Sequence, residues 1–110
     1  MVYNIIPSSK FKKEAKRLIK KYPSLKKELL ALNEDLQFNP TLGISLGNDA
    51  YKIRVSIKSK SSGKSGGGRV ITHVIQENKE IYLLTIFDKS EYENVDDKMI
   101  KSIIDNLNKS

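Results

Sequence analysis

The sequence predicts an α+β domain: an antiparallel β-sheet meander with a helical hairpin packed on one face, in the order β-α-α-β-β-β-α. Three observations lead there. Apolar residues recur at helical spacing as far as Leu36, the period drops to two from Tyr51, and the string IYLLTIF at 81–87 is apolar on both faces. With 110 residues the chain makes one domain, residues 1–110, with a modest core.

Each element has its own reason. VYNII at 2–6 reads as a short strand stopped by Pro7. Ser8 or Ser9 caps a helix whose Phe11, Ala15, Leu18, Ile19 and Tyr22 share one face. Pro23 breaks it, and Ser24 caps a second helix with Leu25, Leu29, Leu32 and Leu36 on its buried side. So short a break implies a helical hairpin. NPTLGISLGNDA reads as a loop from its Asn-Pro and its glycines.

From Tyr51, residues Tyr51, Ile53, Val55 and Ile57 point one way and Lys52, Arg54, Ser56 and Lys58 the other. That is a half-buried strand with a cationic open face. RVITHVI is the next strand, QENKE a turn, and IYLLTIF a central strand. Met99 or Ile100, Ile103, Ile104 and Leu107 mark a closing helix, with Asp96 and Asp97 at its positive end.

Composition narrows the function. There is no cysteine, which excludes disulfides, thiol catalysis and cysteine metal sites and fits a cytoplasmic protein. No apolar run approaches a membrane span, and MVYNIIPSSK lacks the features of a secretion signal. The net charge of +7 is unevenly spread: residues 1–76 hold 15 Lys/Arg against 5 Asp/Glu, and residues 77–110 hold 5 against 8. Between Tyr51 and Gln76 there are six basic residues and no acidic one, the footprint of a polyphosphate partner. The lysines of KFKKEAKRLIKK, by contrast, read as the wet side of a helix.

The segment KSKSSGKSGGGRVITHVI at 58–75 is not a phosphate-binding P-loop. Gly63-Lys64-Ser65 supplies the end of that motif, but Lys58 stands where its first glycine belongs, and a strand follows instead of a helix. The segment reads as a long hairpin loop, mobile because Gly and Ser hold nothing fixed, with Lys58, Lys60 and Lys64 along it. Its glycine amides, at Gly66 and Gly67, can turn inward as an anion-binding nest.

YKIRV, GKSGGGRVI and IYLLTIFDKSE, in that order, resemble the RelE/ParE superfamily of bacterial toxin–antitoxin toxins, and within it the RelE-like HigB branch. The resemblance covers roughly residues 50 to 95, and the β-α-α start agrees in layout. It implies a ribosome-dependent mRNA endonuclease, held silent by a cognate antitoxin protein, that needs no metal and no cofactor. By position, Lys52, Arg54 and Arg69 match the family's basic catalytic residues.

That chemistry suits the residues present. RNA is cleaved when its own 2′-hydroxyl attacks the adjacent phosphate, given a base, an acid and cations for the phosphorane. Arg54 and Arg69 suit phosphate clamping, because a guanidinium makes forked contacts. Lys52 shares that duty or serves as base. His73, the chain's one histidine, falls on the face of Arg69 in a regular strand, and imidazole exchanges protons near neutral pH. It reads equally as a packing residue. Where relatives place an Arg after the last strand and a closing Tyr, this chain has FDKSEYENV, with Lys89 and Tyr92 as the nearest substitutes.

Two alternatives stand beside the nuclease. A ParE-like gyrase inhibitor would share the fold, and the Lys52, Arg54 and Arg69 set counts against it. A non-enzymatic nucleic-acid-binding module is the other, weakened by the few aromatics on the open face.

Overall fold

The computed structural model describes residues 2–57, 67–91 and 97–109, and in the last helix the side chains of residues 98–105. The elements run β1 (Asn4–Pro7), α1 (Ser9–Lys21), α2 (Leu25–Phe38), β2 (Ile44–Gly47), β3 (Ala50–Val55), β4 (Gly68–Ile75), β5 (Glu80–Asp88) and α3 (Asp97–Lys109). They form an α+β fold around one five-stranded sheet of order β1-β5-β4-β3-β2.

Two features correct the expected meander. The sheet is mixed, because β1 pairs parallel with β5, Asn4 against Glu80 through Pro7 against Leu83. Pro7 has no N–H to give, which suits an edge strand. The 39–50 segment is not all loop: β2 pairs antiparallel with β3. Asn48 and Asp49 both take positive φ, at 54° and 59°, the twist a two-residue hairpin needs.

The helical hairpin forms for local reasons. Ser8 Oγ accepts the Phe11 N–H at 3.1 Å and donates to the Leu84 carbonyl at 2.9 Å, so one hydroxyl caps α1 and ties it to the sheet. Ser24 occupies the cap position of α2 but makes no side-chain cap bond. The hairpin buries Phe11, Ala15, Leu18, Leu25, Leu32 and Leu36 against Ile53, Val55, Val70, Ile81 and Ile86 of the sheet. Leu29, Ile19 and Tyr22 pack at the margin of this cluster.

The opposite face was expected to be open, and it is only partly so. A second, smaller core joins Ala50, Ile71, Leu84 and Phe87 to Ile100 and Ile103 of α3. The cause lies in β4 and β5: Ile71, Leu84 and Phe87 put apolar surface on that face too, and α3 removes it from water. The extra residue in β5, between Leu83 and Thr85, resets the alternation, so that Leu83 and Ile86 both join the first cluster while Leu84 and Phe87 join the second.

Candidate nucleic-acid interface

β3 and β4 decide the geometry. Their register is regular along its whole length, from Ala50 against His73 to Val55 against Gly68. Ile53, Val55 and Val70 point into the hairpin core, so their neighbours Arg54 and Arg69 must point to the other face. There Arg54 and Arg69 are directly opposed, Arg54 Cα against Arg69 Cα. Lys52, half-buried, follows one step along the same face, opposite Ile71.

Among the described residues no carboxylate pairs with either arginine. Arg69 Nη1 donates to the Gly68 carbonyl at 3.0 Å. The pKa of Arg69 is lowered, first by burial and then by the charge of Arg54. Two arginines opposed on one sheet face, with no ion pair among the described residues, can together receive an anion of at least two oxygens.

The strand ends add to the site. Asp88 pairs with Gly68 and Phe87 with Arg69, so the apolar Phe87 borders the arginines. The Lys89 N–H donates to the Gly67 carbonyl at 3.2 Å, which puts the exposed Lys89 at the same end of the sheet. Gly67 sits at φ +59°, and a Cβ there would stand 2.7 Å from the Val55 carbonyl oxygen. Only glycine allows β3 and the loop exit to come this close.

His73 lies apart from this end. Four strand residues separate it from Arg69, about 13 Å along β4. Its flanking partners are Ala50 and Tyr82, both members of the α3 cluster, and its Nδ1 is buried without a hydrogen bond. The fold thus brings together Lys52, Arg54, Arg69, Lys89 and Gly67 and leaves His73 at the far end. Lys58, Lys60, Lys64, Gly66 and Tyr92 lie outside the described residues. No group of three or more His, Cys, Asp or Glu spaced to hold a metal occurs among the described residues.

Sequence reasoning missed the residues that brace this end from behind. Asp88 is 3% exposed, and its carboxylate accepts the Tyr22 O–H at 3.1 Å and the Ser90 N–H at 3.2 Å. Glu91 accepts two bonds from Arg17 Nη2, at 3.0 and 3.1 Å, and one from the Asp88 N–H. These bonds pin the chain just after β5 to α1. A carboxylate closing a fully apolar strand was the available signal.

A double arginine-to-alanine variant of the E. coli toxin RelE in the free state superposes over 97% of this chain and 99% of its own, with a TM-score of 0.57 and 19% identity. The chain has the RelE toxin fold. The intact E. coli RelBE toxin–antitoxin complex also matches, over 76% of this chain and 93% of that one, at 24% identity and a TM-score of 0.49. No protein-family model matches the chain. Among the described residues no helix is long and apolar enough to cross a membrane.

Proposed function

We propose that this RelE-fold chain is the toxin of a toxin–antitoxin pair, of the HigB branch, and an endoribonuclease that cuts mRNA on the ribosome in the cytoplasm. The observation that carries the reading is the opposed Arg54–Arg69 pair, which makes no ion pair among the described residues and follows directly on a glycine-rich stretch of sequence. The RelE likeness of the whole fold supports it.

The chemistry follows from that pair. The 2′-oxygen forms a bond to phosphorus and the 5′-oxygen leaves, giving a 2′,3′-cyclic phosphate and a 5′-hydroxyl end. Negative charge builds on the non-bridging oxygens, where the two forked guanidiniums hold it without reorganising. Lys52, one residue pair away, and Lys89 add positive potential at the leaving and attacking positions. The reaction is acid–base and electrostatic throughout, and no step needs a metal or a cofactor. Lys58, Lys60, Lys64, Gly66 and Gly67 would contact the RNA backbone beside it, and Lys89 and Tyr92 are further candidates for the proton transfers.

A small exposed face has little with which to orient a flexible RNA, so the ribosome supplies the alignment. An antitoxin with an acidic segment suits a chain whose first 76 residues hold three basic side chains for each acidic one. Inducible expression with mapping of mRNA 5′ ends tests the reading. Translation arrest with new 5′-hydroxyl ends is expected. Induction of a DNA-damage response without mRNA cleavage would transfer the chain to the gyrase-inhibiting ParE-like class.

A further inference from the structure

We propose that the solvent face of α1 is a second anion-binding surface, which takes the phosphate backbone of a structured, double-helical RNA. It stands on the opposite side of the molecule from the Arg54–Arg69 pair.

The placement is set by packing. Phe11, Ala15 and Leu18 turn α1 onto the hairpin side of the sheet, whereas Arg54 and Arg69 project from the other side. In a body measuring 40 × 31 × 24 Å the two cationic surfaces face apart and can touch different parts of one large partner. At 100° per residue, Lys12, Lys16 and Lys20 form a row about 12 Å long on the outer side of α1, with Lys13 beside it. All four are exposed.

The sign of this surface is not what stability asks for. Lysines three and four residues apart repel one another, and Lys10 and Lys12 crowd the positive end of the helix, where the first turn has no acid. Compensation is slight. Lys10 pairs with Glu14 at 3.5 Å and Arg17 with Glu91. Glu14, the one acid of α1, also accepts the Thr85 hydroxyl. Lys12, Lys13, Lys16 and Lys20 make no ion pair among the described residues.

Lysine-rich composition alone does not explain this. The exposed side of α2 mixes Lys26 and Lys27 with Glu34 and Asp35, as a merely solvated helix does. Solvation accounts for the exposure of the α1 lysines but not for their single sign.

The partner class follows from what the surface lacks. Protein interfaces are anchored by apolar and aromatic side chains, and the exposed large hydrophobics, Val2, Leu30, Phe38 and Ile44, all lie off α1. A membrane-surface helix must spend its apolar face on lipid, but that of α1 is in the core. What remains is a convex row of point charges, almost all lysine, which suits sequence-independent contact with a phosphate backbone. The inference goes beyond cleavage and stands on a separate surface.

The test is binding, read without cleavage. The full chain carrying Arg69→Ala is titrated with a fluorescent RNA hairpin of about 16 base pairs across about 50 to 200 mM salt. A version in which Lys12, Lys13, Lys16 and Lys20 are all changed to Gln should bind at least about tenfold more weakly, with a salt slope shallower by about 3. Its melting temperature should equal or exceed that of the parent. The same four positions changed to Arg should keep both affinity and slope. Unchanged affinity and slope in the Gln version would overturn the proposal. So would loss of binding to a polyglutamate probe with RNA binding intact, since the surface would then belong to an acidic protein. Because every arm reads binding alone, a chain that proves not to be a nuclease leaves the test standing.

Discussion

Arg54 and Arg69 stand directly opposite each other on neighbouring antiparallel strands, on one sheet face, and neither makes an ion pair among the described residues. Like charges in this position work against the sheet. On the proposed function, the repulsion is present in the free protein and is relieved when a phosphate lies between the guanidiniums.

The free protein should therefore gain stability when the repulsion is removed. Arg54→Gln is expected to stabilise it by roughly 0.2–1 kcal/mol, a rise of a few degrees in Tm. Added salt should raise the Tm of the wild type more than that of the variant, through screening. Thermal melts at low and high ionic strength check both statements. An Arg54→Gln protein that melts below wild type at every salt concentration would contradict them.

Gly67 holds the junction beneath the arginines. Gly67→Ala must place a Cβ at φ +59° and 2.7 Å from the Val55 carbonyl oxygen, so β3 and the loop exit have to separate. The left-handed backbone alone costs about 1–2 kcal/mol, and the clash adds to it. A Tm several degrees below wild type is expected. Cleavage should fall as well, because the Gly67 carbonyl also holds the Lys89 N–H. An unchanged melting curve would show that the junction opens freely.

The two cores should fail separately. Leu36 is fully buried under the hairpin, and Leu36→Ala should cost about 2–5 kcal/mol of global stability. Ile103 belongs to the small cluster under α3, so Ile103→Ala should release that helix while the sheet stays folded. Hydrogen exchange distinguishes the cases. Leu36→Ala is expected to speed exchange in β4 and β5, and Ile103→Ala only in α3 and the residues it covers.

His73 should matter little to catalysis. It lies about 13 Å along β4 from Arg69, beside residues that pack under α3. His73→Ala is expected to leave cleavage within a few-fold of wild type, with the same dependence on pH. A hundredfold loss, with the pH profile altered, would make His73 a proton donor or acceptor in the reaction.

Much of this fold is legible in the sequence, and the gaps have physical causes. β3 and β5 are plain because alternation and continuous apolarity are local signals, as are the Ser8 cap and the Pro23 break. β2 is missed because only Ile44 and Leu46 carry its alternation, and its Asn48-Asp49 turn lacks the glycine that usually marks one. The parallel pairing of β1 joins Asn4 to Glu80, a choice no local pattern encodes. α3 is visible as an amphipathic helix. That it covers the cationic face follows only once Ile71, Leu84 and Phe87 are placed there.

The site divides in the same way. Alternation alone puts Lys52 and Arg54 on one face. Their meeting with Arg69 depends on the β3–β4 register across a long connection, and its length does not set that register. The Tyr22–Asp88 and Arg17–Glu91 contacts join residues more than 60 positions apart, so only the folded chain reveals them.

Single-turnover cleavage of mRNA on programmed ribosomes, at saturating protein and with thermal melts alongside, bears most directly on the role of the arginine pair. Arg69→Ala should slow cleavage about a hundredfold, on the order of 3 kcal/mol of transition-state stabilisation lost with one preorganised donor. Arg69→Lys should recover little, because an ammonium cannot make the forked contact. Arg69→Ala, which also removes the repulsion from Arg54, should melt at or slightly above wild type, and Arg69→Lys close to it. A folded Arg69→Ala protein that cuts within a few-fold of the wild-type rate would contradict the assignment and take the phosphate clamp away from this pair.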